Sequence, residues 1–241
     1  MLVTKKQNRR RTRPRAVPRQ RTTRLALGPW PGPADTRIRA AAAGEGPRID
    51  ELLKAAGTYL EAHEALDAGQ FGTLVRTGLA HGLDTMFHDV EAALTARDLD
   101  RLFHGMTTVL VAEDTTGTAV GAVVVLPPGK VIAPLAERGA WDQALRLLLT
   151  TAKLRGIAVA ETARGRGIGT ALLDQAVSLH THLGAALVYG QFSVDEDLEA
   201  YYRTRGFDVL APGAGFSLAP LGAATTVNAY PHERLFTRWL L

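Results

Sequence analysis

The sequence predicts a mixed α/β fold, and three local patterns carry that reading. Thr108 to Glu113 and Thr118 to Leu126 are rich in β-branched residues and flank the turn Asp114-Thr-Thr-Gly117, as a hairpin requires. Ile49, Leu52, Leu53 and Ala56 recur at helical spacing, as do Phe71, Leu74, Val75 and Leu79. The apolar run Ile157-Ala-Val-Ala160 precedes Arg164-Gly-Arg-Gly167-Ile-Gly169, which opens the helical pattern Ala171, Leu172, Leu173, Ala176, Val177. Strands and helices so interleaved bury their apolar faces by packing helices onto a sheet. At 241 residues the chain can bury a substantial core in one domain with extensions.

Residues 1–24 hold ten Lys and Arg and no acid, leaving 18 bases against 24 acids in residues 25–241. A self-repelling segment poor in large apolar residues cannot offset its ordering entropy, so a disordered basic tail is expected. Gly28-Pro-Trp-Pro-Gly-Pro33 reads as a linker that breaks helix and strand alike. Ile38 to Ala43 forms a first strand, ended by Gly44-Glu-Gly-Pro47, and the helix after it extends toward Asp67. Further helix is expected from Phe71 to Leu94, with Gly72, Gly78 and Gly82 as breaks or close contacts. Pro127-Pro-Gly129 closes the hairpin, and Trp141, Ala144, Leu145 and Leu148 place a helix before the strand at 157–160. Ala186 to Phe192, Asp208 to Leu210 and Leu235 to Leu241 complete the strands.

The glycine loop carries the most specific chemistry. Three glycines in five positions allow a tight turn and close approach of a ligand to the main chain. The first turn of the following helix supplies N–H groups that lack intrahelical acceptors, an anion site suited to phosphate. No lysine follows Gly167, against the ATP- or GTP-binding spacing. Thr170 stands where a dinucleotide fingerprint needs glycine, and the strand at 186–192 lacks the acid that would hold a ribose.

Arg164-x-x-Gly167-x-Gly169 after a valine-containing strand resembles the acyl-CoA pyrophosphate loop of the GNAT superfamily of N-acetyltransferases. A second motif agrees: Asp195-Glu-Asp-Leu-Glu-Ala-Tyr201-Tyr202-Arg-Thr-Arg-Gly206-Phe207 is similar to that family's helix with a tyrosine four residues before Gly-Phe. The resemblance covers residues 37–241, with its motifs confined to 157–207. It implies a central mixed sheet of six to seven strands, largely antiparallel with parallel pairing beside the loop, helices on both faces and an inserted helix at 141–148. Residues 1–36 are then a tail and linker, and 37–241 an acetyltransferase domain.

The activity so implied is transfer of an acetyl or other acyl group from acyl-CoA, most simply acetyl-CoA, to a primary amine by direct attack in a ternary complex. Cofactor binding falls to Gly165, Arg166, Gly167, Ile168, Gly169 and Thr170, with Arg164 adding charge and main-chain groups of Ile157 and Val159 pairing with pantetheine as that strand splays from its neighbour. Tyr202 takes the place of the phenol that protonates the departing sulfur, the Gly206-Phe207 frame selecting it over Tyr201. Glu161, where relatives commonly have proline, is the candidate base, and Glu113 a lesser one. Asp195 and Asp197 depart from the family pattern and add negative charge near the proposed acid.

The chain has no cysteine, which excludes disulfides, thiolate metal sites and an acyl-cysteine and suits a reducing cytoplasm. The histidines show no metal-ligand spacing, and no apolar run approaches a membrane span. The acceptor is a small-molecule or peptide amine, and the long helical section before residue 95 reads as a lid or an interface, such as that of a homodimer. Nucleic-acid binding through residues 1–24 is the alternative function, either alone or with a ribosome, and a CoA sensor without turnover is another.

Overall fold

The computed structural model describes residues 28–60 and 71–240, so the basic tail and the expected helical extension toward Asp67 lie largely outside the described residues. The hairpin forms as its residues dictate: β3 (Thr108–Glu113) and β4 (Ala119–Leu126) pair antiparallel, and Asp114 Oδ1 accepts from the Thr116 and Thr118 amides to close the turn. Side-chain alternation splits these strands between two cores. Val109, Val111, Ala122 and Val124 meet Ile49, Leu52 and Leu53 of α1 (Gly46–Ala55), which covers one face. Leu110, Ala112, Val123 and Val125 face the larger core beneath the remaining helices.

The helix Ile168–His182 lies directly on that face, and α2 (Thr73–His81), α3 (Leu83–Thr95), α4 (Leu99–Met106), α5 (Gly129–Glu137) and α6 (Trp141–Thr150) share its core. Gly82 (φ 97°) forms the break between α2 and α3 that its sequence position suggests. The chain then enters β5 (Thr151–Val159), α7 (Ile168–His182), β6 (Leu187–Ser193) and α8 (Glu199–Arg203). β7 (Asp208–Val209), a separate hairpin of β8 (Gly215–Ser217) with β9 (Thr226–Asn228), and β10 (Glu233–Trp239) complete it.

With β1 (Trp30–Pro31) and β2 (Arg37–Ala40), the main sheet has eight strands in the order β1-β2-β3-β4-β5-β6-β10-β7. Only β5 and β6 pair in parallel. The expected mixed sheet with helices on both faces is therefore present, with one strand more than expected. The extra strand corrects the reading of Gly28 to Pro33 as a pure linker: Trp30 pairs with Ile38 and Pro31 with Arg37. Proline is tolerated there because the ladder ends at that edge.

Three further boundaries differ from expectation. β5 begins six residues before Ile157, α5 follows Pro127-Pro-Gly129 where the sequence pattern assigns no element and holds Pro134 in its interior, and the motif helix is limited to five residues.

His180 of α7 is 5% exposed and its Nε2 has no hydrogen-bond partner. Burial pushes its pKa down from 6.5 to about 4, so the unfolded chain binds a proton between these values that the folded one rejects. Its contribution is therefore fully present above about pH 6.5 and lost as pH falls toward 4, on the order of 3 kcal/mol. Urea titrations between pH 4 and 7 should show this slope in the wild type and lose it in His180→Leu.

Candidate active site

The site is built where β5 and β6 part. Their parallel pairing runs from Thr151 with Leu187 to Leu154 with Gly190 and stops, whereas β5 stays paired with β4 through Val159. Between the Val124–Gly156 and Val125–Leu154 pairs the register slips, leaving Arg155 as a bulge. Ala160 N–H bonds Val120 O, so residues of its parity address β4. Ile157 and Val159, of the other parity, turn their main-chain groups toward the gap.

The glycine loop closes one end of this gap. A 3₁₀ turn at Glu161–Ala163 leads into it, Gly165 and Gly167 adopt φ of 73° and 80°, and α7 begins at Ile168. Ala171 is the first amide of the unit bonded back along the chain, to Gly167 O; amides 165 to 170 have no main-chain acceptor among the described residues. A Cβ at Gly165 would meet nothing within 4 Å, whereas one at Gly169 would lie 3.5 Å from Val159 Cγ2 and 3.6 Å from Tyr201 Oη. The result is an open cleft of about 430 Å³ lined by Val159, Ala163 to Gly165, Gly167 to Thr170, Tyr201 and Arg205.

Arg164 and Arg205 both line the cleft, whereas Arg166 is turned to another partner. Arg164 Nε donates to Val159 O, at the end of β5 (3.2 Å), and Arg166 donates to Ala34 O (3.0 Å), tying the loop to the turn after β1. Arg205 faces the cleft: its guanidinium stacks 3.7 Å over the Tyr201 ring and donates from Nε and Nη2 to Thr170 Oγ1 at 3.1 and 2.6 Å. Sequence reasoning missed Arg205, although its place just before Gly206-Phe207 and the presence of a hydroxyl at Thr170 were visible clues.

The two tyrosines are treated differently. Tyr201 is half-buried in the cleft wall, and desolvation raises its pKa against the opposing effect of Arg205. Tyr202 is 7% exposed, with its ring stacked 3.7 Å from that of Phe236 and packed against Phe192 and Phe207. Burial pushes its hydroxyl up, Tyr201 and Glu196 add in the same direction, and Arg205 opposes them. A phenol in this setting stays protonated at neutral pH, as a proton donor must.

The carboxylates also separate. Glu161 is exposed on the 3₁₀ turn and does not line the cleft. Glu113 is bound by Arg39 (2.6 Å) and Arg37 (2.7 Å), and these partners, Arg39 foremost, hold it below the usual carboxylate range. An ion-paired acid at the β2–β3 edge is poorly suited to take a proton. Among the described residues, no group of three or more His, Asp or Glu is placed to hold a metal ion, and no helix is long and apolar enough to cross a membrane.

Comparison with known proteins bears on the same segment. Residues 106–209 match the model of the acetyltransferase (GNAT) domain. No curated protein matches the sequence. Similar solved structures include Ard1 from Thermoplasma volcanium, at 16% identity over 86% of this chain and 99% of that one, with a TM-score of 0.46. The GNAT domain of S. lividans PAT is similar at 10% identity over 84% and 89%, with a TM-score of 0.48. N-acetylglutamate synthase from Neisseria gonorrhoeae, complexed with coenzyme A and N-acetyl-glutamate, is similar at 12% identity over 86% of this chain and 36% of that one, with a TM-score of 0.46.

The positive φ at Gly167 makes a β-branched residue there strained as well as obstructive. Gly167→Val should weaken binding of inorganic pyrophosphate at least ten-fold, about 1.4 kcal/mol, by calorimetry on a variant shown to be folded by circular dichroism. Unchanged affinity would detach the loop from anion binding.

Proposed function

We propose that the protein, whose residues 106–209 match the acetyltransferase (GNAT) domain, transfers an acetyl group from acetyl-CoA to a primary amine by direct attack in a ternary complex. The observation that carries this reading is the gap between β5 and β6, which ends beside six amides without main-chain acceptors at the start of α7. An extended chain with amide groups along its length and a diphosphate at its end, as in CoA, matches that arrangement. Titration with CoA, followed by transfer assays on a panel of amines with both substrates varied, tests it. Intersecting kinetics support the ternary complex, and parallel lines would replace it with an acyl-enzyme.

In this reading, amides 165 to 170 and the α7 N-terminus hold the pyrophosphate, and the Arg205 guanidinium can exchange its Thr170 bond for a phosphate oxygen. Main-chain groups of Ile157 and Val159 pair with the pantetheine amides, and the Val159 N–H stabilises the thioester oxygen as charge develops on it. The acceptor ammonium loses a proton to water, through which the exposed Glu161 could accept it only at a distance. The amine nitrogen then bonds to the thioester carbon, the carbon–sulfur bond breaks and the nitrogen loses a second proton. The sulfur takes one from the Tyr202 hydroxyl, which solvent restores. Net release is one proton per amide formed. We place the catalytic unit at residues 37–241, with β1 and the turn at Pro33–Ala34 packed against it.

Tyr202→Phe keeps the ring that stacks on Phe236 and removes only the hydroxyl. It should leave acetyl-CoA affinity intact and lower kcat by roughly 10² to 10⁴. Tyr201→Phe should change kcat by less than about five-fold, against the ten-fold or more a lost proton donor costs. Steady-state rates for the pair decide the assignment, and a loss confined to the Tyr201 variant would transfer the role to the cleft wall.

A further inference from the structure

The β6 side of the gap, across from the glycine loop on the β5 side, has its own chemistry. Leu53 and Thr58 pack over Gly156 so closely that a Cβ there would be 2.9 Å from Leu53 Cδ2 and from Thr58 Cγ2, which sets the segment after α1 along the unpaired part of β5. A side chain starting at Gly57 would come within 3.9 Å of Glu196 Oε1, across the opening. The other oxygen, Glu196 Oε2, accepts from the Ser193 amide at the end of β6 (2.9 Å). Beneath the carboxylate lies the nine-tenths buried Tyr202, whose hydroxyl makes no hydrogen bond among the described residues and is close enough for Glu196 to act on it.

This edge also gathers exposed apolar surface. The large apolar side chains left exposed among the described residues are Tyr59 (68%), Phe87, Val194 and Tyr230 (63%), and three of the four belong here. Tyr59 follows Gly57 by two residues and its carbonyl is bound by the Arg155 side chain. Val194 N–H bonds His232 O, and the His232 ring stacks with Tyr230 at 5.9 Å. The Glu196 carboxylate and exposed aromatic residues of two segments, the one after α1 and the one before β10, are thus grouped around the β6 side of the gap.

We propose that this edge binds the acceptor and that the acceptor is a cationic primary amine on an aromatic body, its ammonium on Glu196 and its ring against Tyr59 and Tyr230. The inference rests on the acetyltransferase reading and adds the substrate class. Cationic nitrogen beside a carboxylate and aromatic faces is a favourable pairing on both counts. An anionic amine would meet the Glu196 carboxylate, and a plain alkylamine would leave the rings uncovered.

Glu196→Gln separates recognition from folding, because glutamine can still accept from the Ser193 amide as a capping residue does. Wild type and variant are assayed with acetyl-CoA and tyramine, n-butylamine or glutamate, with CoA affinity measured separately. The wild type should prefer tyramine over butylamine at least ten-fold and over glutamate at least a hundred-fold in kcat/KM. Glu196→Gln should lose at least ten-fold in kcat/KM for tyramine, through KM, with acetyl-CoA KM unchanged. Tyr59→Ala with Tyr230→Ala should reduce the tyramine-to-butylamine ratio below three. Full tyramine activity in Glu196→Gln, or a wild type that prefers butylamine or glutamate, overturns the proposal. CoA binding without transfer to any of the three overturns the acceptor assignment alone, whereas absence of CoA binding overturns the acetyltransferase reading with it.

Discussion

The site depends on one local failure of sheet pairing. Leu154 and Gly190 form the last pair between β5 and β6, and the missing Cβ of Gly190 is occupied by the Phe236 ring, whose Cζ lies 2.3 Å from where that Cβ would be. Phe236 in turn stacks on Tyr202 and touches Phe192 and Phe207, so an aromatic wedge fills the space beside the diverging strands. Beyond this point β5 keeps β4 on one side and, among the described residues, no strand on the other, where Val159 O accepts from the Arg164 side chain. Unpaired buried main-chain groups are costly, which is the physical reason such a gap is suited to an amide-bearing ligand.

The same wedge explains the division of labour between adjacent tyrosines. On a helix, consecutive residues point about 100° apart, so Tyr202 enters the aromatic cluster while Tyr201 turns toward Thr170 and the glycine loop. Arg205, four residues on and just past the end of α8, shares the Tyr201 side and covers its ring. The short helix and the turn after it thereby present a buried hydroxyl to the gap and a cation to the anion site. That α8 has only five residues is sufficient, because its orientation is fixed by burial of Tyr202 and Phe207 rather than by its own hydrogen bonds.

Much of this was legible in the sequence where local chemistry decides local shape. The hairpin at 108–126, the glycine break at Gly82 and the strand–loop–helix unit follow from β-branched runs and from glycines at positive φ. Where tertiary packing decides, the sequence was silent. The first half of β5, Thr151-Ala-Lys-Leu-Arg, shows little apolar alternation because Lys153 and Arg155 sit among buried neighbours at the bulge. β1 contains proline and is two residues long, and α5 follows two prolines, so local propensity argued against both. In the candidate site, the loop and Val159 were readable from motif spacing. Arg205 and Glu196 were not, since an arginine before Gly-Phe and a capping glutamate look like ordinary helix-end residues until the fold brings them to opposite sides of one gap.

The ends of the sheet have a bearing on how copies of this chain can associate. β1 and β7, each two residues long, are the terminal strands, one containing Pro31, and the Arg39 bridge to Glu45 and Glu113 lies along β2 beside the first. At the other end the Leu210 and Gly213 amides bond to carbonyls of β10, covering part of the ladder that β7 leaves open. Stub strands, proline and paired charge remove the template that a foreign strand would need to extend a sheet. Among the described residues, edge-to-edge growth is thus disfavoured at both borders, and the helical faces offer side-chain fit rather than main-chain complementarity as the alternative.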